Sequence, residues 1–378
     1  MRDLAGILGF VLLLVVLWDA FETVILPRHV TRRFRLARVF FRTTWRLWTL
    51  FASRAHSSKR RESYLSYFGP LSMLLLLVFW AAMLMFSFAL LLWSGGSAVK
   101  LAGGTPTFRT DIYLSGTTFF TLGMGDVTPG STLARVIIVT EAGTGFGFLA
   151  LMIAYLPTLY GAFSQREVNI SLLDARAGSP PTAGELLRRH GRSRIRDGLA
   201  QYLRDWEQWS AQLMESHLTY PFLCFFRSQH DNQSWLAAFT AILDVCAAII
   251  AYGEGETKWQ AQLTFAISRH AVADLSEVLG VKPQSPAADR LPQEDLKKVR
   301  SLLVECGVAH QNDAGDLKLK ELRRMYEPHL VALSRLLWMP VPSWGLDAAA
   351  NSSKTIWGRI TSPAPGEPDD DRGHGDHF

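Results

Sequence analysis

Residues 108–129 read FRTDIYLSGTTFFTLGMGDVTP and lie between two long apolar runs, Phe68 to Trp93 and Leu133 to Tyr160. A membrane-crossing helix needs about 20 mostly apolar residues, because the hydrocarbon core is about 30 Å thick and each residue rises about 1.5 Å. Both flanking runs reach that length, and the stretch between them is too short to add two more crossings. It therefore reads as a re-entrant loop. Its first part, Asp111 to Phe120, reads as a short helix. The second part, Thr121-Leu122-Gly123-Met124-Gly125-Asp126-Val127-Thr128-Pro129, does not. Non-helical backbone at membrane depth is tolerated only where it lines a cavity or is buried in protein.

A third apolar run, Leu4 to Leu26, precedes these. It is long for the apolar core of a leader peptide, and its flank lacks a small-residue cleavage site, so a retained membrane helix is expected. Tyr64, Tyr67, Trp93, Tyr155 and Tyr160 fall near the ends of the runs, where amphipathic rings favour the interface. A fourth segment, Trp235 to Tyr252, is just long enough to cross but carries Asp244 near its middle. A carboxylate at the bilayer centre is expensive, so this segment is expected to be a core helix of a water-exposed domain.

The chain of 378 residues is 48% hydrophobic with a formal net charge of +5. The charge is unevenly placed. Between Thr23 and Arg61 there is no acidic residue, whereas Arg28, Arg32, Arg33, Arg35, Arg38, Arg42, Arg46, Arg54, Lys59, Arg60 and Arg61 are cationic. Flanking apolar runs favour a membrane surface over a nucleic acid as the partner of this stretch. The positive-inside rule then puts the basic loop and everything after Tyr160 in the cytoplasm, with the N-terminus outside an inner membrane. Phe34, Val39, Phe41, Trp45, Trp48 and Phe51 interleave with arginines three or four apart. Arg32 to Ser53 is expected to form an amphipathic helix. It either lies on the inner surface, held by anionic lipid at Arg32 to Arg46, or serves as a packed connector. Asp19 and Glu22, one turn apart, are expected to meet Arg28, Arg32 or the basic loop as an anchor. No helix carries regularly spaced arginines within its span, which argues against a dedicated voltage sensor.

The expected organisation is an N-terminal membrane helix (1–27), a basic linker (28–64), and a pore region (65–161, with its inner helix over 132–160). A linker (162–184), a helical domain (185–340) and a polar tail (341–378) come after it. Within the helical domain, helices are expected over Glu185 to His217, Leu236 to Tyr252, Trp259 to Leu279, Gln293 to Cys306 and Leu317 to Leu337. Cys224, Cys246 and Cys306 lie far apart and form no CxxC, which fits a reducing compartment. His217, His230, His270 and His310 show no metal-ligand spacing, and the chain has no Walker loop, G-x-S-x-G or HExxH. Neither an enzymatic role nor a cofactor is expected. Trp206, Trp209, Trp235 and Trp259 are expected to build a core or a contact between subunits.

Thr121-Leu122-Gly123-Met124-Gly125-Asp126, coming after a short helix and before Pro129, resembles the pore loop of the potassium channel superfamily, whose filter reads T-V-G-Y-G-D. The resemblance covers Phe68 to Gly161 and implies an all-α membrane protein. It would have two pore helices, a re-entrant loop, an extra N-terminal helix and a mostly helical cytoplasmic domain. It further implies a homotetramer, because one filter per chain requires four chains around an axis. The backbone carbonyls of Thr121, Leu122, Gly123 and Met124, together with the Thr121 hydroxyl, would replace the water shell of K+, with Gly125 completing the turn. Gly123 and Gly125 would supply dihedrals that other residues resist. Leu122 and Met124 side chains, with Phe119 and Phe120, would pack behind the filter. Asp126 would be supported by Tyr113, Thr117 or Thr118. In the inner helix, Glu141 would line the cavity or brace the pore helix through Ser115 or Thr118. Gly145 would be a hinge or, alternatively, a site of close helix packing. Met124 departs from the family's tyrosine and cannot brace through a hydroxyl, which implies a less rigid filter. The rest of the chain resembles neither nucleotide-binding nor β-rich regulatory domains, so any regulatory ligand of the helical domain is unidentified.

Overall fold

The computed structural model describes residues 2–26, 35–55, 57–101, 105–192, 198–230, 232–309 and 315–346. Arg28, Arg32, Arg33, His310 and the tail from 347 onward lie outside the described residues. The protein is an all-α membrane protein whose described strands form one short pair. The chain divides into two compact units. The first comprises residues 1–167, 212–229 and 277–280, and the second comprises 168–211, 230–276 and 281–378.

In the first unit, α1 (Arg2–Val24) packs along α3 (Ser58–Ser94). Their seam is built from Leu13, Val16, Trp80, Leu84 and Phe88. Gly9 allows the close approach: a Cβ there would lie 2.9 Å from both Leu90 Cβ and Ser87 O. Small residues at such seams let helix backbones meet where lipid gives no hydrophobic drive. Between them in sequence, α2 (Leu36–Ala52) buries Ala37 and Trp45 and is held at its start from outside itself. Asp19 of α1 accepts from Ala37 N at 3.0 Å and from Trp80 Nε1 at 3.0 Å. One buried carboxylate thus serves an orphan donor of the α2 N-terminus and ties α1, α2 and α3 together. Arg35 pairs with Glu22 at 3.7 Å and donates to Glu22 O at 3.2 Å. The expected anchor therefore exists, with Arg35 as its described cation.

The far side of α2 meets a short 3-10 turn, Pro221–Phe225. Phe41 stacks on Phe222, and Trp45 lies edge-on to Phe68 and tilted against Phe225. The buried Arg166 gathers this segment, donating to Leu223 O and Phe226 O at 3.0 Å each and lying 3.2 Å from His217 Nε2. Burial first, and the Arg166 guanidinium second, hold His217 well below the ordinary histidine range.

α5 (Thr132–Ala177) corrects one expectation: the inner helix does not stop at Tyr160, and most of the expected linker 162–184 is helical. Hydropathy falls after Tyr160, but Phe163, Ile170, Leu173 and Ala177 keep one buried face at helical spacing. The helix ends where Gly178 adopts φ +79°. The expected single helix Glu185 to His217 is also corrected. It is α6 (Ala183–Arg192) and α7 (Gly198–Thr219).

The second unit is built around α8 (Trp235–Tyr252), with α9 (Gly255–Val278), α10 (Leu296–Glu305) and α11 (Gly315–Leu337). The apolar window of α8 is 94% buried within the protein, so it is the interior helix that its aspartate foretold. Arg290 reaches both oxygens of Asp244, at 3.2 and 2.5 Å, and Tyr326 donates to it at 2.6 Å. Trp206, Trp209 and Trp235 are buried in this core, whereas Trp259 is exposed.

Candidate functional site

The re-entrant segment begins with α4 (Phe108–Phe119), whose first turn is set by Thr110 Oγ1 accepting from Thr107 N at 3.1 Å. Phe108 lies edge-on to Phe86 and Trp93 of α3. Ser97 donates to Asp111 at 2.6 Å, and Ser115 reaches Met85 O at 2.8 Å. These contacts fix the direction of α4, and so aim its C-terminal carbonyls toward the turn at Thr121. Helix C-termini carry partial negative charge and favour a cation.

The segment expected to form a filter starts where the helix ends. Thr121 N bonds Thr118 O at 2.9 Å, and Leu122 N bonds Thr117 O at 2.7 Å. Thr117 and Thr118 therefore support the segment through their carbonyls, while the Thr117 hydroxyl turns back to Leu114 O. The backbone then takes positive φ at every second residue: Thr121 at +55°, Gly123 at +55° and Gly125 at +79°, but not Leu122 or Met124. Alternating handedness turns successive peptide planes the same way and sets their carbonyls along one side. Two of the three positive positions are glycine, where no Cβ opposes the conformation. Thr121 is the exception, a β-branched residue held in a region it resists, as functional sites often hold one.

The outer end is fastened separately. β1 (Val99–Leu101) pairs antiparallel with β2 (Val127–Pro129), and Gly130 N bonds Ala98 O at 2.7 Å. Of the three residues expected to support Asp126, Tyr113 is the one whose hydroxyl faces the Asp126 carboxylate. Phe119 is buried against Phe148, as expected, but Phe120, Leu122 and Met124 are exposed on the single chain. Sequence reasoning missed the β pair and the Ser97–Asp111 bond. Three-residue strands carry no periodic signal, and that bond depends on a turn no motif marks.

In α5, Glu141 is fully buried and meets Ser115, placing it behind the pore helix. The same Ser115 hydroxyl faces Met85 O. One hydroxyl hydrogen serves only one acceptor, so the set closes when Glu141 itself donates to Ser115 Oγ. Gly145 is the point of closest approach, because a Cβ there would collide with Phe119 O at the end of α4. Gly143 and Gly147 face open space in the single chain. Elsewhere, His270 pairs with Asp274 at 3.2 Å on the surface, and no group of metal-holding residues occurs among the described residues.

A family model described as an ion channel matches residues 73–160. An uncharacterized membrane protein, YdjJ, of Bacillus subtilis (strain 168) is 25% identical over 239 residues, covering 62% of this chain and 69% of its own. That likeness runs over a longer stretch than the pore match. No solved structure matches the chain. The family match covers the second half of α3, the pore helix, the filter-like turn and the first part of α5, so residues 73–160 are the part of the chain that resembles an ion-channel pore domain.

Proposed function

We propose that four copies of this chain surround one pore and conduct K+ passively through a filter formed by Thr121, Leu122, Gly123, Met124 and Gly125. The observation that carries this reading is the alternation of positive φ at Thr121, Gly123 and Gly125 directly after a helix whose C-terminus points at the same place. Carbonyls on one side of one chain make a quarter of a site, and four chains around an axis complete the oxygen cage that a dehydrated cation needs. The exposed side chains of Phe120, Leu122 and Met124 agree with this, since they lack cover within one chain and would gain it from a neighbour.

Asp126 and Tyr113 hold the outer mouth, and Thr117 and Thr118 hold the inner start. Glu141 braces the pore helix from behind, and Gly145 sets how closely the inner helix approaches it. The basic loop faces the cytoplasm of a cell with a negative inner leaflet, the N-terminus lies outside, and the helical second unit gates from within. No enzymatic step and no bound cofactor are part of this reading.

The test is the reversal potential of purified protein in planar bilayers under a potassium/sodium gradient. A reversal near the potassium equilibrium value, lost in Gly123→Ala, is the expected outcome. Robust current reversing near zero would replace it with a weakly selective cation channel, the filter loosened by Met124. Silence in every condition would move the reading to a membrane sensor built on a channel scaffold. Currents unchanged after truncation at Gly178 would remove the gating role of the helical domain.

A further inference from the structure

The 3-10 turn Pro221–Phe225 and the residues on either side of it touch three helices of the first unit at once. Phe222 stacks on Phe41 of α2, and Phe225 lies against Trp45 of α2 and Phe68 of α3. Phe226 covers Gly69 of α3 so closely that a Cβ there would come within 2.6 Å of its ring. Arg227 pairs with Glu62 of α3 at 3.6 Å. On the α5 side, Tyr220 lies edge-on to Tyr155, and Phe226 is tilted against Phe163.

One arginine of α5 gathers the polar groups of this segment. Arg166 donates to Leu223 O and Phe226 O, and its Nε donates to Glu167 Oε1 at 2.9 Å. Ser228 donates to the same Glu167 oxygen at 3.2 Å. Arg166 Nη1 also lies 3.2 Å from His217 Nε2. A guanidinium has no acceptor, so this ring nitrogen accepts, and the imidazole carries its one proton on Nδ1. The other side of the ring agrees. Nδ1 lies 3.1 Å from Ser216 Oγ, and that hydroxyl donates to Leu213 O at 3.1 Å, which leaves its oxygen free to accept from Nδ1. His217 is fully buried, and these bonds fix it as the neutral ring. A proton added at Nε2 would point at a cation and break the bond to it. The other titratable groups here are Glu167, already taken up by Arg166 and Ser228, and Cys224, whose thiol burial pushes up to about 12. Glu215 and Tyr220 flank the ring along the chain, and burial raises the Tyr220 hydroxyl.

We propose that Arg166 and His217 form an acid-releasable clasp: with His217 neutral, residues 217–228 pin α5 to α2 and α3, and a proton on His217 lets that end of α5 go. Arg166 lies six residues beyond Tyr160, about 9 Å further along the helix, so the clasp grips α5 just past the pore match. The sign follows from the closed geometry. Burial first, and Arg166 second, hold the His217 pKa well below the ordinary histidine range while the clasp is closed. Once released, the ring regains ordinary proton affinity. Clasp strength is therefore full above about pH 6.5 and falls as pH drops through that value. In the proposed channel this end of α5 is the inner mouth. That consequence rests on the channel reading; the clasp does not.

The experiment is amide hydrogen exchange of the full chain in lipid nanodiscs at pH 7.5 and pH 5.5, read by mass spectrometry and corrected for the intrinsic pH dependence of exchange. The reporters are the amides of Tyr220, Leu223 and Phe226, each hydrogen-bonded within the segment. Their opening should rise about tenfold between the two pH values, the factor for a group that is neutral when closed and titrates near 6.5 when open. Peptides from residues 76–88 of α3 should change far less. His217→Gln keeps an acceptor for Arg166 and takes up no proton in this range, so it should match the parent at pH 7.5 and lose the acid response. No rise in the parent chain would overturn the proposal, and that arm needs no variant to fold. An equal rise in α3 would also overturn it, since acid would then loosen the whole unit and not the clasp. So would an acid response kept in His217→Gln. The readout needs no current, so a chain that releases its clasp but does not conduct would break the channel reading alone.

Discussion

Helices α5 and α8 are equally apolar over their best 18-residue windows, yet 17% of one window and 94% of the other is buried within the chain. Each also carries a carboxylate in its apolar stretch, Glu141 in α5 and Asp244 in α8. The difference lies in what the rest of the chain offers those carboxylates. Asp244 receives Arg290 on both oxygens and a tyrosine hydroxyl, the partners a full charge needs in an interior. Glu141 has one serine oxygen, to which it donates as a carboxylic acid. A helix supplied with a complete polar shell can be enclosed by protein. One supplied with a single hydroxyl can bury its carboxyl group only against one neighbour and leaves its other faces uncovered. Hydropathy alone does not separate the two cases.

The sharpest way to break this comparison is Asp244→Leu. A bilayer-crossing α8 would gain from losing the charge. An interior α8 leaves Arg290 with Glu327 as its remaining carboxylate and the Tyr326 hydroxyl without its acceptor, and the second unit should lose about 1–3 kcal/mol, read as a lower denaturant midpoint by circular dichroism. Unchanged or higher stability would place α8 with α5.

Glu141→Leu comes next. It removes the partner of Ser115 behind the pore helix and should cost about 1–3 kcal/mol, seen as loss of thermal stability of the purified protein. Glu141→Gln keeps a donor for Ser115 Oγ and should stay close to wild type in stability. If Gln is as damaging as Leu, the carboxyl group has a role that the Ser115 contact does not describe.

The glycines of α5 sharpen the same contrast at finer scale. Gly145→Ala drives a methyl into Phe119 O and should destabilise by about 1–3 kcal/mol, with the turn at Thr121 and Leu122 disturbed through Thr117 and Thr118. Gly143→Ala and Gly147→Ala meet no atom within 4 Å in one chain and should gain up to about 1 kcal/mol of helix propensity unless a neighbouring chain fills that space. Loss of conduction in either, with the protein still folded, would place a second chain against that glycine.

The smallest effect is a pH dependence. His217 is neutral in the fold, its pKa held down by burial and by Arg166. The unfolded chain takes up a proton below about pH 6.5. More protons on the unfolded state means that stability falls as pH drops through that value, by at most about 1.4 kcal/mol per unit. Melting curves from pH 7.5 to 5.5 should show the decline, and His217→Gln should flatten it.

The pore was legible because its chemistry is local. A helix, a threonine, two alternate glycines and an aspartate sit within one short stretch between two apolar runs. The fate of α8 was half legible: Asp244 marked it as unfit for lipid, but its partners Arg290 and Tyr326 come 46 and 82 residues later. The true end of α5 was hidden because hydropathy drops at Tyr160 while the helical period does not. The Asp19 bonds to Ala37 and Trp80 left no trace in sequence, since a carboxylate in an apolar run announces a need without naming its donors.

The alternation along Thr121, Gly123 and Gly125 has an arithmetic consequence. A pattern with a period of two distinguishes odd from even changes in length. In the proposed pore, inserting or deleting one residue between Thr121 and Asp126 would exchange the two parities and turn the carbonyls away from the axis, even if every residue type were kept. Substitution and length change are therefore unequal hazards here, and related chains should vary the side chains at the Leu122 and Met124 positions far more freely than the number of residues between the threonine and the aspartate.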